Sequence, residues 1–214
     1  VTSVDLYYHG ASDLYCAQLP ARVFHASSRA QGFAIPQPYG IEVEKGERLF
    51  LSAHLKNTSA SPASGSLRVR IEMVADRRPI TPLILSIADY CNVSHRNLST
   101  PVAYVIPTRA DRYQIAAERM FQAPGDAKLL AWAGYLEPYG ARLDILNGST
   151  RVASLSATNT PQGTADFGVL HTLESAISLL KGNALTLKAI HEKPKGIKSV
   201  AAIGLAYILL DFGN

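Results

Sequence analysis

The chain has 214 residues, 47% of them hydrophobic and 18% charged, with a formal charge of +4 and a pI near 9.1. That length holds one large domain or two sandwiches of about a hundred residues each, and the composition excludes a disordered or low-complexity chain. No run approaches the ~18 uninterrupted apolar residues of a membrane-spanning helix. Nor do the dispersed Lys and Arg residues form the aromatic-interleaved basic groove of a nucleic-acid binder.

In chain order, residues 1–9 alternate as a strand (Val4, Leu6 and Tyr8 against Asp5 and Tyr7) until Gly10. A strand-like start at Val1 leads one to expect no signal peptide, so an exported protein would be in its mature form. Residues 22–25 form a second short strand, and the Gly- and Pro-containing stretch 27–40 is loop. Residues 41–44 alternate, Lys45-Gly46 turns, and 48–55 return as a strand before the small-residue loop 59–65. The cleanest period of two lies in 66–75, where Leu67, Val69, Ile71 and Met73 oppose Arg68, Arg70 and Glu72. That pattern predicts a strand with one wet face. Strands follow at 83–90 and 101–107.

Residues 108–112 are the most polar connection and set the expected division into domains 1–110 and 111–214. The second half opens with 113–122, turns at Pro124-Gly125-Asp126, and continues through 128–136 and 141–146. Asn147-Gly148 makes a hairpin into 151–157. Residues 158–168 are loop. In 170–180, Leu173, Ile177 and Leu180 have a spacing that also suits a short helix. Residues 184–190 and 200–211 close the chain. About a dozen short strands with turns every 8–12 residues predict an all-β chain of two tandem antiparallel β-sandwiches, jelly-roll-like. No strand–helix alternation with a Gly-rich turn supports a nucleotide-binding α/β fold.

Cys16 and Cys91 make no CxxC pair and are too few for a structural zinc site. They are two buried thiols in a cytosolic protein or one disulfide in an exported one. Asn57, Asn92, Asn97 and Asn147 each head an Asn-X-Ser triplet in a loop-like setting. These glycosylation candidates favour export, to the extracellular space, periplasm or cell surface, and with it the disulfide.

Several segments carry a resemblance. Pro38-Tyr39-Gly40-Ile41-Glu42-Val43, Leu51-Ser52-Ala53-His54-Leu55-Lys56-Asn57, Cys91 followed by Tyr104-Val105-Ile106-Pro107, and residues 121–140 and 185–207 succeed one another in order. Together they resemble the copper type II, ascorbate-dependent monooxygenases, the superfamily of peptidylglycine α-hydroxylating monooxygenase. The resemblance implies two secreted sandwiches with a copper ion on each, one held by a His-His pair plus a third His, the other by His-x-His plus Met. By that correspondence Tyr135 and Glu137 stand at the His-x-His positions and Ile203 at the methionine. His54 fits the third histidine of the other site, but Thr2-Ser3 replace its pair. The implied monooxygenase activity is therefore expected to be lost.

Other candidates are single residues. His54 is a ligand with a new partner, His9 or His25, or else a strand histidine satisfied by a neighbour. His95, His171 and His191 show no metal spacing. Glu137 is the best lone acid, without the second carboxylate of a glycosidase. Gly148-Ser149 lacks the following glycine of a nucleophile elbow. Trp132, Tyr135 and Tyr139 form a sugar-stacking platform or contribute to core. Lys188, His191, Lys193, Lys195 and Lys198 read as a solvated basic hairpin, with phosphate or acidic glycan as its other use. The favoured expectation is a secreted, non-catalytic binding or structural protein without cofactor that self-assembles through protein–protein contacts. The alternative is a mononuclear copper protein using His54 and other histidines.

Overall fold

The computed structural model describes residues 3–27, 32, 34–55, 57, 60–62, 64–91, 103–108, 112–159, 165–166 and 170–213. None of these is helical. The strands are β1 (Ser3–Ser12), β2 (Pro20–Ser27), β3 (Tyr39–Gly40), β4 (Leu49–His54), β5 (Arg78–Pro79) and β6 (Thr81–Ser86). Then come β7 (Tyr104–Ile106), β8 (Arg112–Ala116), β9 (Phe121–Gln122), β10 (Ala127–Glu137), β11 (Gly140–Asn147) and β12 (Thr150–Ser156). The last are β13 (Thr158–Asn159), β14 (Ala165–Asp166), β15 (His171–Leu179), β16 (Ala184–Glu192) and β17 (Val200–Asp211). The all-β class with antiparallel sheets is the one the strand spacing leads one to expect.

Two five-stranded sheets face each other. One runs β15-β10-β17-β6, with β7 also on β17; the other runs β12-β11-β16-β8, with β9 also on β16. Between them lie Leu85, Ile106, Leu129, Trp132, Leu143, Ile145, Leu187 and Ile208. Burial of each such side chain stabilises the fold by roughly 1.5–3 kcal/mol. A third sheet, β2-β1-β4, packs through β2 on β6. The central strands β10 and β17 are thus covered on both faces. Their second face carries Leu130, Ala131, Leu205, Tyr207 and Leu209, joined by Ile84 of β6. That double burial explains why 200–210 is an almost continuous apolar run rather than an alternating one.

The sheets do not stop at the expected division between residues 110 and 111. β6 and β7 precede it, yet both pair antiparallel with β17. Strand pairing follows the shared apolar face, which a polar connection in the chain does not interrupt. Residues 171–179, where helical spacing was open, form β15 against β10. A strand there puts Leu173 and Ile177 against the core. Residues 41–44 form no strand; only Tyr39 and Gly40 pair, in parallel, with β5. The strand expected at 66–75 has no ladder partner among the described residues, and all of its residues are exposed. Cys16 and Cys91 form a disulfide, with Cα atoms 5.1 Å apart.

Candidate functional site

The turn between β10 and β11 is where the sequence places Glu137, Pro138, Tyr139 and Gly140. Tyr139 adopts a left-handed conformation with φ of 58°. Gly140 is required by contact, because a Cβ there would lie 2.6 Å from the Leu136 carbonyl oxygen. The register of β10 on β17 sets Glu137 opposite Ile203. The three positions singled out by the resemblance therefore meet in one place.

Their chemistry there is not that of a copper site. The Tyr135 hydroxyl donates to Glu137 Oε2 at 2.9 Å, and Tyr135 and Ile203 pack against the second apolar cluster. A hydrogen-bonded phenol–carboxylate pair and a sec-butyl group replace two imidazoles and a thioether, the donors suited to redox-cycling copper. The residues present do not fit the ion. Among the described residues, the group of His, Cys, Asp or Glu side chains close enough to share a metal is Cys16, Asp89 and Cys91. Its two sulfurs are bonded to each other, so no thiolate remains to ligate.

What the sequence reading missed at this place is the neighbour that β2 supplies. His25 meets Tyr135 edge to face, with ring centroids 6.0 Å apart. The register of β1 on β2 sets Asp5 opposite His25, and His25 Nδ1 donates to Asp5 Oδ1 at 2.8 Å. Arg22 Nη1 lies 3.5 Å from the same oxygen, and its guanidinium sits 4.7 Å from the centre of the Tyr90 ring. Burial opposes the charge on Arg22, but Asp5, Tyr7, Tyr90 and Asp13 outweigh it and leave its pKa raised. Arg22 Nε and His25 Nε2 are buried without a hydrogen-bond partner. An Asp–His pair is the arrangement of a general base, and among the described residues Nε2 has no hydrogen-bond partner. A signal was legible: in an alternating β1–β2 hairpin, Asp5 and His25 are natural cross-strand partners.

His54 pairs through its backbone with Ser3, at one end of β1. His9 sits near the other end, about 20 Å away along the strand at ~3.4 Å per residue, so it does not approach His54. His171 is exposed, opposite Trp132 in the register. Asn92, His95 and Asn97 lie outside the described residues. Asn57 is exposed, its amide donating to the Ser61 carbonyl. Asn147 is half-buried and donates to Asn183 Oδ1 at 3.0 Å.

Trp132 is core, and no platform forms. It faces the sandwich interior while Tyr135 faces the opposite cluster, as odd and even positions of one strand must. The basic hairpin is only partly solvated, because His191 and Lys193 are buried. Lys193 Nζ donates to the carbonyls of Thr108 and Ile197. His191 Nδ1 donates to the Pro138 carbonyl at 2.8 Å, which leaves Nε2 to accept from the Tyr104 hydroxyl at 2.5 Å. Both ring nitrogens are satisfied, and burial lowers the pKa of this ring against the raising effect of the Pro138 bond.

The surface tells a different story. Leu67, Val69, Ile71 and Met73 are 42%, 38%, 47% and 72% exposed on a segment with no ladder partner among the described residues. Leu51 of β4, at the open edge of the third sheet, is 41% exposed.

The fold and this surface define an all-β sandwich protein built mainly of antiparallel sheets. No protein-family model matches the chain, and no curated protein matches it in sequence. A solved structure of infectious bursal disease virus, Gx strain, is similar to it over 99% of its length, at 9% identity and a TM-score of 0.32. The chain spans 53% of that structure's chain. A likeness of that degree carries no argument about function.

Proposed function

We propose that this chain is a non-catalytic, self-associating structural or binding module that works outside the reducing cytosol. Its scaffold would be related to the copper monooxygenases through the positions now held by Tyr135, Glu137 and Ile203. The observation that carries the reading is the segment 64–75. Five apolar side chains, Leu67, Val69, Ile71, Met73 and Val74, stand exposed on a stretch without a ladder partner among the described residues. Such a segment leaves backbone donors and acceptors free and apolar area in water, the combination that drives strand addition between chains. The Cys16–Cys91 disulfide fits an oxidising compartment. Light scattering coupled to size exclusion, over a dilution series, tests the proposal. A dimer or larger species that dissociates on dilution is expected, and a monomer at every concentration overturns it.

A further inference from the structure

Sheet edges differ in how well they are guarded. A charge, a proline or a break in register each discourages an incoming strand. β2 carries Pro20, Arg22 and two register breaks. β12 carries Arg151 and one break, and β15 carries Glu174 and one break. β6 has Pro82, β8 has Arg112, and β7 and β9 span only three and two residues. β4 is different. Leu49-Phe50-Leu51-Ser52-Ala53-His54 holds no acid, lysine, arginine or proline, and pairs with β1 without a register shift.

The unpaired segment has the complementary pattern. On β4, Leu49, Leu51 and Ala53 stand opposite Tyr8, Leu6 and Val4 of β1, an apolar row ending at the open edge. Leu67, Val69, Ile71 and Met73 repeat that row at the same two-residue spacing, with Arg68, Arg70 and Glu72 on the other side. Among the described residues both halves are open at once: 64–75 is exposed throughout, and no strand lies beyond β4. Neither satisfies the other within one molecule. In sequence the connection 55–65 is rich in small residues, eight of its eleven being Ser, Thr, Ala, Pro or Gly, a composition suited to the linker that exchange between copies needs.

From this we infer that β4 of one copy receives residues 66–74 of a second copy as an added strand. The inference rests on the self-association proposed above and names the surfaces that carry it. Donor and acceptor are different patches, so a reciprocal exchange closes a two-fold pair, whereas a one-way exchange leaves free ends and propagates.

Two variants test it. Leu51→Lys guards the acceptor edge, while Ile71→Pro removes a ladder donor from a segment that pairs with none of the described strands. Each is expected to weaken self-association roughly tenfold or more, while near-ultraviolet circular dichroism stays that of the wild type. Mixed in equal amounts, the two should form a one-to-one pair that neither forms alone, since one retains the donor and the other the acceptor. Wild-type assembly with Leu51→Lys assembling equally well overturns the acceptor and leaves self-association standing. Failure of the mixture to pair, as when 66–74 folds back on β4 of its own chain, overturns exchange. A monomeric wild type removes the underlying reading as well.

Discussion

The Tyr207 hydroxyl donates to the Val23 carbonyl oxygen at 2.8 Å, across 184 residues of chain. It joins the last strand to the second and fixes the three-stranded sheet on the sandwich. Tyr207 is 3% exposed and Val23 6%, so neither group has water to turn to. Tyr207→Phe leaves a buried carbonyl unpaired and should cost about 1–3 kcal/mol. Urea unfolding followed by fluorescence measures it. An unchanged midpoint would show that this hydrogen bond does not hold the third sheet in place.

His191 supplies a pH dependence. Burial lowers its folded pKa below the ordinary value. Between the folded pKa and about 6.5 the unfolded chain therefore binds more protons than the native one. Its stabilising contribution is complete above about pH 6.5 and is lost as pH falls toward the folded pKa, by at most ~1.4 kcal/mol per pH unit. Buried Asp13 acts with the opposite sign. Burial raises its pKa, against the hydrogen bonds from Cys16 and Tyr15, and so its contribution declines as pH rises above about 3.9. The difference between wild type and His191→Gln isolates the histidine. The stability curve of the variant should be flatter below about pH 6.5, and parallel curves would refute the assignment.

The Cys16–Cys91 bond closes a loop with a sequence separation of 75. In the chain-entropy account a loop of this length stabilises the native state by about 4–5 kcal/mol. Around it, Asp13 Oδ1 accepts from the Tyr15 and Cys16 amides at 2.8 and 2.9 Å. Cys16→Ala with Cys91→Ala should lower the melting temperature by well over 5 °C. A shift of a degree or two would mean that the unfolded chain is already restrained.

Copper separates the alternative reading. With Tyr135 bonded to Glu137 and an isoleucine at the third position, protein incubated with Cu(II) and desalted should retain less than stoichiometric metal, and His54→Ala should change nothing. Stoichiometric copper lost in His54→Ala would restore a mononuclear site.

Much of this was legible because period-two alternation and turn chemistry are local. The Asn147-Gly148 hairpin, the turn at Pro138 and Gly140, and the long strand ending at Asp211 all follow from neighbours a few residues apart. In the structure Glu137 stands opposite Ile203 across β10 and β17, with Tyr135 two residues before it on the same strand. His25 beside them was not legible, since no local pattern announces which strand of another sheet will lie across β10. The solvated basic hairpin failed for a related reason: charge suggests exposure, yet Lys193 is buried because the carbonyls of Thr108 and Ile197 happen to face it.

By itself the sequence determined the all-β class, most strand positions and the absence of a legible metal or hydrolase motif, because side-chain alternation and turn residues act over a few positions. Only the tertiary structure decided that β6 and β7 join β17 across the polar connection, and that the most regular alternating stretch in the chain finds no ladder partner among the described residues. Which edges meet depends on sheet stacking and register, set by contacts up to 184 residues apart, and no local pattern encodes those.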